Sequence, residues 1–592
     1  MKETWSLDAL YTGYDDPKFE KDKLKLAQLI EEINEMAKQL THEDELKWII
    51  EILKKQEQLS LCSWQLGSYV SLRQSVDTSN AQTVALLGQL NQTVSEGAAA
   101  LAKMDAFIQD CDDLDQLIQQ SDYLKEYEYL LKETKQDGKY RLTDDVEAVI
   151  TKLNISAGDA WSNLQEYLTS TLEVSYQDKT ITLSEVRNLA YDSDATVRKA
   201  AYEAELKAYE PIKQSVAFAL NNIKSQVNTI CDLRGFTSPL DMTLYYSRMK
   251  RETLDAMMEA ITASLPMFHS YLKRKAELLG HKDGLPWYDL FAPLNIAEGA
   301  SKKYTISQAK DYLITHFSAF ASDLVSMIET AFDHEWIDFY PRKGKVGGAF
   351  CANLPFIKQS RVLTNFDGEL GDIVTLAHEL GHAYHGMMIE NHRILNTNYS
   401  MPVAETASTF NENIIMNAAI NEESDPLQKL VLIEKQLQDL TQIICDIYSR
   451  YTFEKEVFEK RRNSFMFADE LCEMMLKAQK EAYGDALNHK LLHPYMWINK
   501  SHYYSASLSF YNFPYAFGGL FARGLVSRYE KEGASFVNKY RDMLKATTVS
   551  HVEEVAAMAG IDITNQAFWL ESLATCRQRI DEFLKLTEKL SL

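Results

Sequence analysis

Apolar residues in this chain recur at three- and four-residue steps over long stretches, and that spacing restricts the fold more than any other feature. Within residues 20–60, Leu24, Leu26, Leu29, Ile30, Ile33 and Met36 mark such a stripe. It predicts paired amphipathic helices broken near Thr41-His42-Glu43-Asp44, with Thr41 placed to cap the second. Proline (12) and glycine (23) are sparse for 592 residues, as long helices require. Residues 80–135 continue in the same style, and the lack of a fixed-period repeat argues against a solenoid. The expected fold is mainly α, in more than one lobe, because a chain of this length outgrows a single core.

Two stretches break the helical pattern. Residues 172–183 alternate around a polar centre and predict a hairpin. Ser193-Asp194 then opens a further helical stretch from Ala195 to about Cys231. A boundary near 190 therefore separates a helical N-terminal lobe, 1–190, from 191–592, and no Pro/Gly/Ser linker marks it. The second interruption, 336–366, offers three short strand candidates: Trp336 to Pro341, Gly344 to Cys351, and Val362 to Phe366. They predict a small sheet just ahead of a helix that Asp372 is placed to cap.

The formal net charge of -23, with no basic stripe, excludes a phosphate-binding surface, so nucleic acid is not an expected partner. Seven scattered cysteines without a CxxC fit a reducing compartment, and the N-terminus lacks an apolar signal core. No apolar run is long enough for a membrane span. A cytoplasmic protein is expected, without membrane association; its oligomeric state is not encoded in any visible pattern.

The chemistry concentrates in His378-Glu379-Leu380-Gly381-His382. Histidines four residues apart share one helix face and can hold one metal ion. Glu379 projects beside that ion and can take a proton from metal-bound water rather than bind the metal. Zinc suits imidazole nitrogen and carboxylate oxygen with one position left for water. The five residues alone also fit a helix with two surface histidines, so a third ligand matters. The three-histidine pattern fails, because the positions it needs hold His385 and Met388. Among downstream carboxylates, Glu390 lies on the tail of the same helix, poorly placed to fold back. Glu405 follows Pro402, a helix start, on a second amphipathic helix running to about Asn417 that can cross the first. Glu412, two turns further, can accept a hydrogen bond from a ligand histidine and fix its tautomer.

The run Thr364-Asn365-Phe366 … Leu376 to His385, followed by Val403-Ala404-Glu405-Thr406-Ala407-Ser408, resembles the oligoendopeptidase F family, which is related to thimet oligopeptidase. The resemblance implies a multi-lobed, helical, zincin-type metallopeptidase, with a small sheet beside the active-site helix and a deep channel for substrate. It implies a 191–592 catalytic domain that cuts internal bonds of short unfolded peptides. It also implies one zinc per chain on His378, His382 and Glu405, Glu379 as general base, and Glu412 as support for a ligand.

Residues 501–519 are dense in aromatics. The resemblance makes this a His- and Tyr-rich loop over the active site, with His502, Tyr511 and Tyr515 as oxyanion donors and Tyr504 as a substrate contact. Gly347, Gly348 and Ala349 lie in an expected edge strand, Val346 to Cys351, able to pair with an extended peptide. Two rivals remain. A zinc aminopeptidase would place an acid near Met401, which is not acidic. A helical peptide-binding protein with an inactive relic site would hold no metal.

Overall fold

A computed structural model describes residues 2–294, 302–588 and 590, and helices carry most of them. The first two helices, Pro17–Gln39 and Glu45–Val76, occur where the apolar stripe predicts them. The second is capped by Asp44, whose carboxylate accepts from the Lys47 N–H at 3.2 Å, and not by Thr41. The turn runs three residues further than periodicity suggested, and a carboxylate at the helix start also complements the dipole.

Contacts divide the chain into two compact units, each assembled from separated stretches. One comprises Met1–Arg141, Ser301–Ile415 and Arg528–Gly560; the other comprises Leu142–Ala300, Met416–Ser527 and Ile561–Leu592. These stretches do not coincide with the boundary near 190.

In the first unit, Leu26, Ile30 and Ile33 of the first helix bury in one apolar core with Ile49, Ile52 and Leu53 of the second, and Leu354 and Leu363 of the small sheet join it. The sheet runs Ile337–Asp338, Gln359–Leu363, Phe350–Leu354 in spatial order, the first pair parallel and the second antiparallel. Phe350–Leu354 is thus an edge strand with Leu354 opposite Gln359. It starts later than expected: Gly347, Gly348 and Ala349 precede it in a bend, with Gly348 at φ +76°. That bend is tied down. Buried Asp338 pairs with Lys345 at 2.7 Å, and the Asn365 amide donates to the carbonyls of Val346 and Gly348 at 3.0 and 2.8 Å.

The helix carrying the HExxH run spans Leu370–Ile389. Its N-cap is Glu369, and Asp372 sits three residues in. The Asp372 carboxylate accepts from the N–H groups of Glu369 and Asp367 at 2.9 and 2.8 Å. Asp372 thus closes the reciprocal half of a capping box rather than capping the helix itself.

The second unit holds the hairpin, Glu173–Tyr176 against Lys179–Thr182, as expected. The stretch after Asp194 is two helices, Ala195–Tyr209 and Lys213–Arg234, parted at Glu210-Pro211-Ile212. Buried ion pairs in this unit include Lys224–Glu454 at 2.6 Å, Arg198–Asp289 at 2.7 Å and Lys275–Glu434 at 2.7 Å. All seven cysteines are free thiols, and no helix among the described residues is long and apolar enough to cross a membrane.

Candidate active site

One turn of helix separates His378 from His382, and their rings stand 5.0 Å apart at 80°. Both present Nε2 to the same carboxylate oxygen of Glu405, at 3.2 Å from His378 and 3.3 Å from His382. Glu405 reaches that point because the chain breaks there. Met401–Ala404 forms one short turn, Thr406–Glu422 the following helix, and Glu405 sits between them with φ -91° and ψ 8°. The expected single helix from Pro402 is therefore interrupted at the residue that faces the histidines.

The approach of the two segments depends on Gly381. A Cβ there would lie 2.5 Å from the Ala407 carbonyl oxygen and 2.5 Å from Ser408 Cα. Only a residue without a side chain lets the helices touch backbone to backbone. Three further contacts fix the donors. Glu412 Oε2 lies 3.2 Å from His378 Nδ1, which leaves Nε2 of that ring turned toward Glu405. The Ser408 hydroxyl donates to Glu405 Oε2 at 2.7 Å. The Asn411 amide donates to the Ala377 carbonyl at 3.2 Å, holding the second helix to the first.

The electrostatics follow from this crowding. Burial alone would lower the proton affinity of His378, but the carboxylates of Glu405 and Glu412 outweigh it and raise its pKa to about 10. Burial would raise Glu405, yet the two histidines hold it far below the usual carboxylate range. The pair of imidazoles and the carboxylate thus compete for protons at a point suited to a cation. Their three donor atoms lie within 4.8 Å of one another, and two imidazole nitrogens with one carboxylate oxygen match the chemistry of zinc. Glu379 is buried at 6% exposure. Burial raises its pKa against the pull of both histidines.

Beside the helix, the edge strand brings Asn353 to the His382 carbonyl at 3.1 Å, and burial, followed by the charge of Glu379, raises the thiol pKa of Cys351. A cavity of about 380 Å³ opens here, lined by Trp64, Cys351, Asn353 and Tyr399 among others. His385 is fully buried, stacked on Tyr399 at 4.3 Å and bonded through Nε2 to the Thr547 hydroxyl at 2.7 Å. It takes no part in the donor cluster.

In the second unit, the rings of His502, Tyr511 and Tyr515 lie near one another. The His502 ring lies 4.7 Å from Tyr511 and 6.1 Å from Tyr515, and Tyr515 is 40% exposed. Tyr504 does not join them. It is fully buried and donates its hydroxyl to the Trp497 carbonyl at 2.9 Å, so it packs and has no free group to offer a peptide. Ser408, Asn411, Asn353 and Gly381 escaped the sequence reading. Only the glycine within the histidine spacing could have hinted at a close helix contact.

A model of peptidase family M3 matches residues 188–575, and an oligopeptidase F model matches 109–173. The chain is 24% identical to oligopeptidase PepF of Bacillus subtilis over 598 residues, covering 99% of this chain and 88% of that protein. It is also 24% identical to group B oligopeptidase PepB of Streptococcus agalactiae, covering 99% and 98%. The crystal structure of oligoendopeptidase-F from Enterococcus faecium shares the fold, with a TM-score of 0.73 at 18% identity over 97% of this chain and 99% of that one.

Proposed function

The chain belongs to peptidase family M3 and is a metallopeptidase, and from that premise we propose that it is a zinc endopeptidase cutting internal bonds of short, unfolded peptides. The observation that carries this reading is the convergence of two imidazole Nε2 atoms on one Glu405 oxygen, at 3.2 and 3.3 Å, beside the buried acid Glu379. The relatives' names, oligopeptidase and oligoendopeptidase, favour short peptides as substrates.

His378 and His382 would hold the metal through Nε2 and Glu405 through a carboxylate oxygen. When bound, zinc supplies Lewis acidity, which makes water nucleophilic near neutral pH and polarises a carbonyl. Glu412 keeps the His378 ring in the required tautomer through Nδ1. Glu379, whose proton affinity burial raises, takes the proton of the attacking water and returns it to the leaving amine. His502, Tyr511 and Tyr515 carry N–H and O–H donors suited to the oxyanion. The strand Phe350–Leu354, with one sheet neighbour, offers main-chain groups to an extended peptide and accepts many side chains. Gly347, Gly348 and Ala349 lead the peptide onto it.

The test uses a fluorogenic peptide blocked at its N-terminus. The wild-type protein cleaves it internally, a chelator abolishes cleavage, and added zinc restores it. Glu379→Gln keeps about one zinc per chain but loses roughly 10²- to 10⁴-fold in kcat. Wild-type turnover by that variant, or cleavage only of peptides with a free N-terminus, sinks the reading.

A further inference from the structure

A cavity of about 500 Å³ lies within the second unit, formed by residues 166–291 and 442–500. That is the size of a ligand pocket rather than a packing defect. None of its residues belongs to the donor cluster of the first unit.

Its charges can be matched one by one. Arg187 pairs with Glu205 at 3.4 Å, Arg198 with fully buried Asp289 at 2.7 Å, and Arg450 with Asp446. Two charged lining residues remain. Glu166 is exposed, so water satisfies it. Lys500 is half-buried, and its ammonium makes no hydrogen bond or ion pair with any described residue. Burial first, and then the positive charge of Arg450, push Lys500 down to about 7. Nearby polar groups are also unsatisfied: Arg450 Nε and Asn499 Oδ1 are buried without a hydrogen-bond partner. Aromatic rings line part of the wall, among hydroxyl and amide side chains such as Thr169, Ser184 and Gln442. Tyr191 and Phe291 meet at 5.3 Å and Tyr202 and Tyr288 at 5.6 Å, both pairs tilted.

An ammonium without an ion-pair partner, set beside aromatic rings, suits a singly charged anion attached to an apolar body, whose charge would favour the protonated lysine. Lys500 also stands two residues ahead of His502, and Lys500 and Arg450 together, after burial, lower the pKa of that ring. Lys500 thus links the cavity in sequence to the aromatic stretch 501–519.

We propose that this cavity binds the free C-terminal carboxylate of a peptide, with Lys500 as its counter-ion and the aromatic walls receiving the last side chain. The ligand class rests on the peptidase reading, since an unblocked peptide substrate and both products of its hydrolysis end in a carboxylate. Binding here would favour short peptides whose C-termini can enter.

Calorimetric titration of the full-length protein tests this without turnover. The probes are alanyl-alanyl-phenylalanine as free acid, the same tripeptide as its C-terminal amide, and an amidated tripeptide ending in glutamate. The wild-type protein binds the free acid at least ten-fold tighter than the amide. Lys500→Met removes that difference by weakening the acid alone, and Lys500→Arg retains it. Equal affinity for acid and amide, or equal weakening of both by Lys500→Met, overturns the proposal. Tight binding of the amidated glutamate peptide overturns it as well, because the site would then read a side chain. Chelator-sensitive cleavage of the blocked peptide is measured separately, so loss of the peptidase reading is distinguished from loss of this one.

Discussion

Replacing Gly381 by alanine alters no metal donor, yet the structure requires it to disturb all three. The added Cβ would lie 2.5 Å from the Ala407 oxygen and from Ser408 Cα, and 2.8 Å from the Ala407 carbonyl carbon. Ordinary contact begins near 3.4 Å, so the deficit is 3.4 − 2.5 = 0.9 Å. The opposing atoms are backbone and cannot rotate aside. The segment that must retreat carries Glu405, two residues before Ala407, and Ser408, which bonds the Glu405 carboxylate at 2.7 Å. Metal sites tolerate only about 0.2 Å in ligand distance. The expected result is a 10- to 100-fold loss of zinc affinity, as when supporting contacts of a metal ligand are removed. Stability should also fall, by up to about 2 kcal/mol: overpacking costs about 1–3 kcal/mol, and alanine's better helix propensity returns about 1. The sign is diagnostic, because propensity alone makes glycine-to-alanine in a helix stabilising. Zinc affinity is read by competition with a chromogenic chelator and stability by thermal melting. A Gly381→Ala protein that melts higher than wild type and binds zinc equally well refutes the close backbone contact.

Other consequences can be measured independently. Ser408→Ala removes the hydroxyl on Glu405 Oε2 and should weaken zinc about ten-fold with little change in melting temperature; unchanged affinity in the same chelator competition would show the bond to be incidental. Asp105, in the helix Ala98–Asp110, is pushed up to about 6 by burial, with only a 3.4 Å hydrogen bond from Gln56 to offset it. Its folded-state pKa is raised, so its contribution is fully present below about pH 4 and is lost as pH rises through about 6. The loss amounts to about 3 kcal/mol at 1.36 kcal/mol per pH unit, or about 2 after allowing for partial solvent access. Asp105→Asn should therefore raise stability at pH 7.5 by about that amount and leave it nearly unchanged at pH 4, read from melts at both pH values. Lys224→Met strands Glu454, fully buried with its partner at 2.6 Å, and should cost about 3–5 kcal/mol. Adding Glu454→Gln should recover most of that loss in the same melts, and failure to recover would mean that packing, not charge, sets the cost.

Much of the fold was legible because helices and hairpins are set by neighbouring residues. The stripe from Leu26 to Ile33, the hairpin near 173–182 and the one-turn spacing of His378 and His382 all report local geometry, and all three stand in the structure. Element ends were less legible, since several residues compete to cap. Asp44 took the place expected of Thr41, and Asp372 serves from inside its helix while Glu369 caps it.

By itself the sequence determined a helical chain with two imidazoles on one face and an acid between them. Tertiary structure decided which carboxylate meets those imidazoles, through a helix break at Glu405 and a backbone contact at Gly381. It also decided that Tyr504 packs inside while Tyr515 stays 40% exposed, and that each unit draws on three distant stretches of chain. Periodicity records which way a side chain points from its own helix. It holds no record of what the fold brings against that side chain, because that depends on packing between residues hundreds of positions apart.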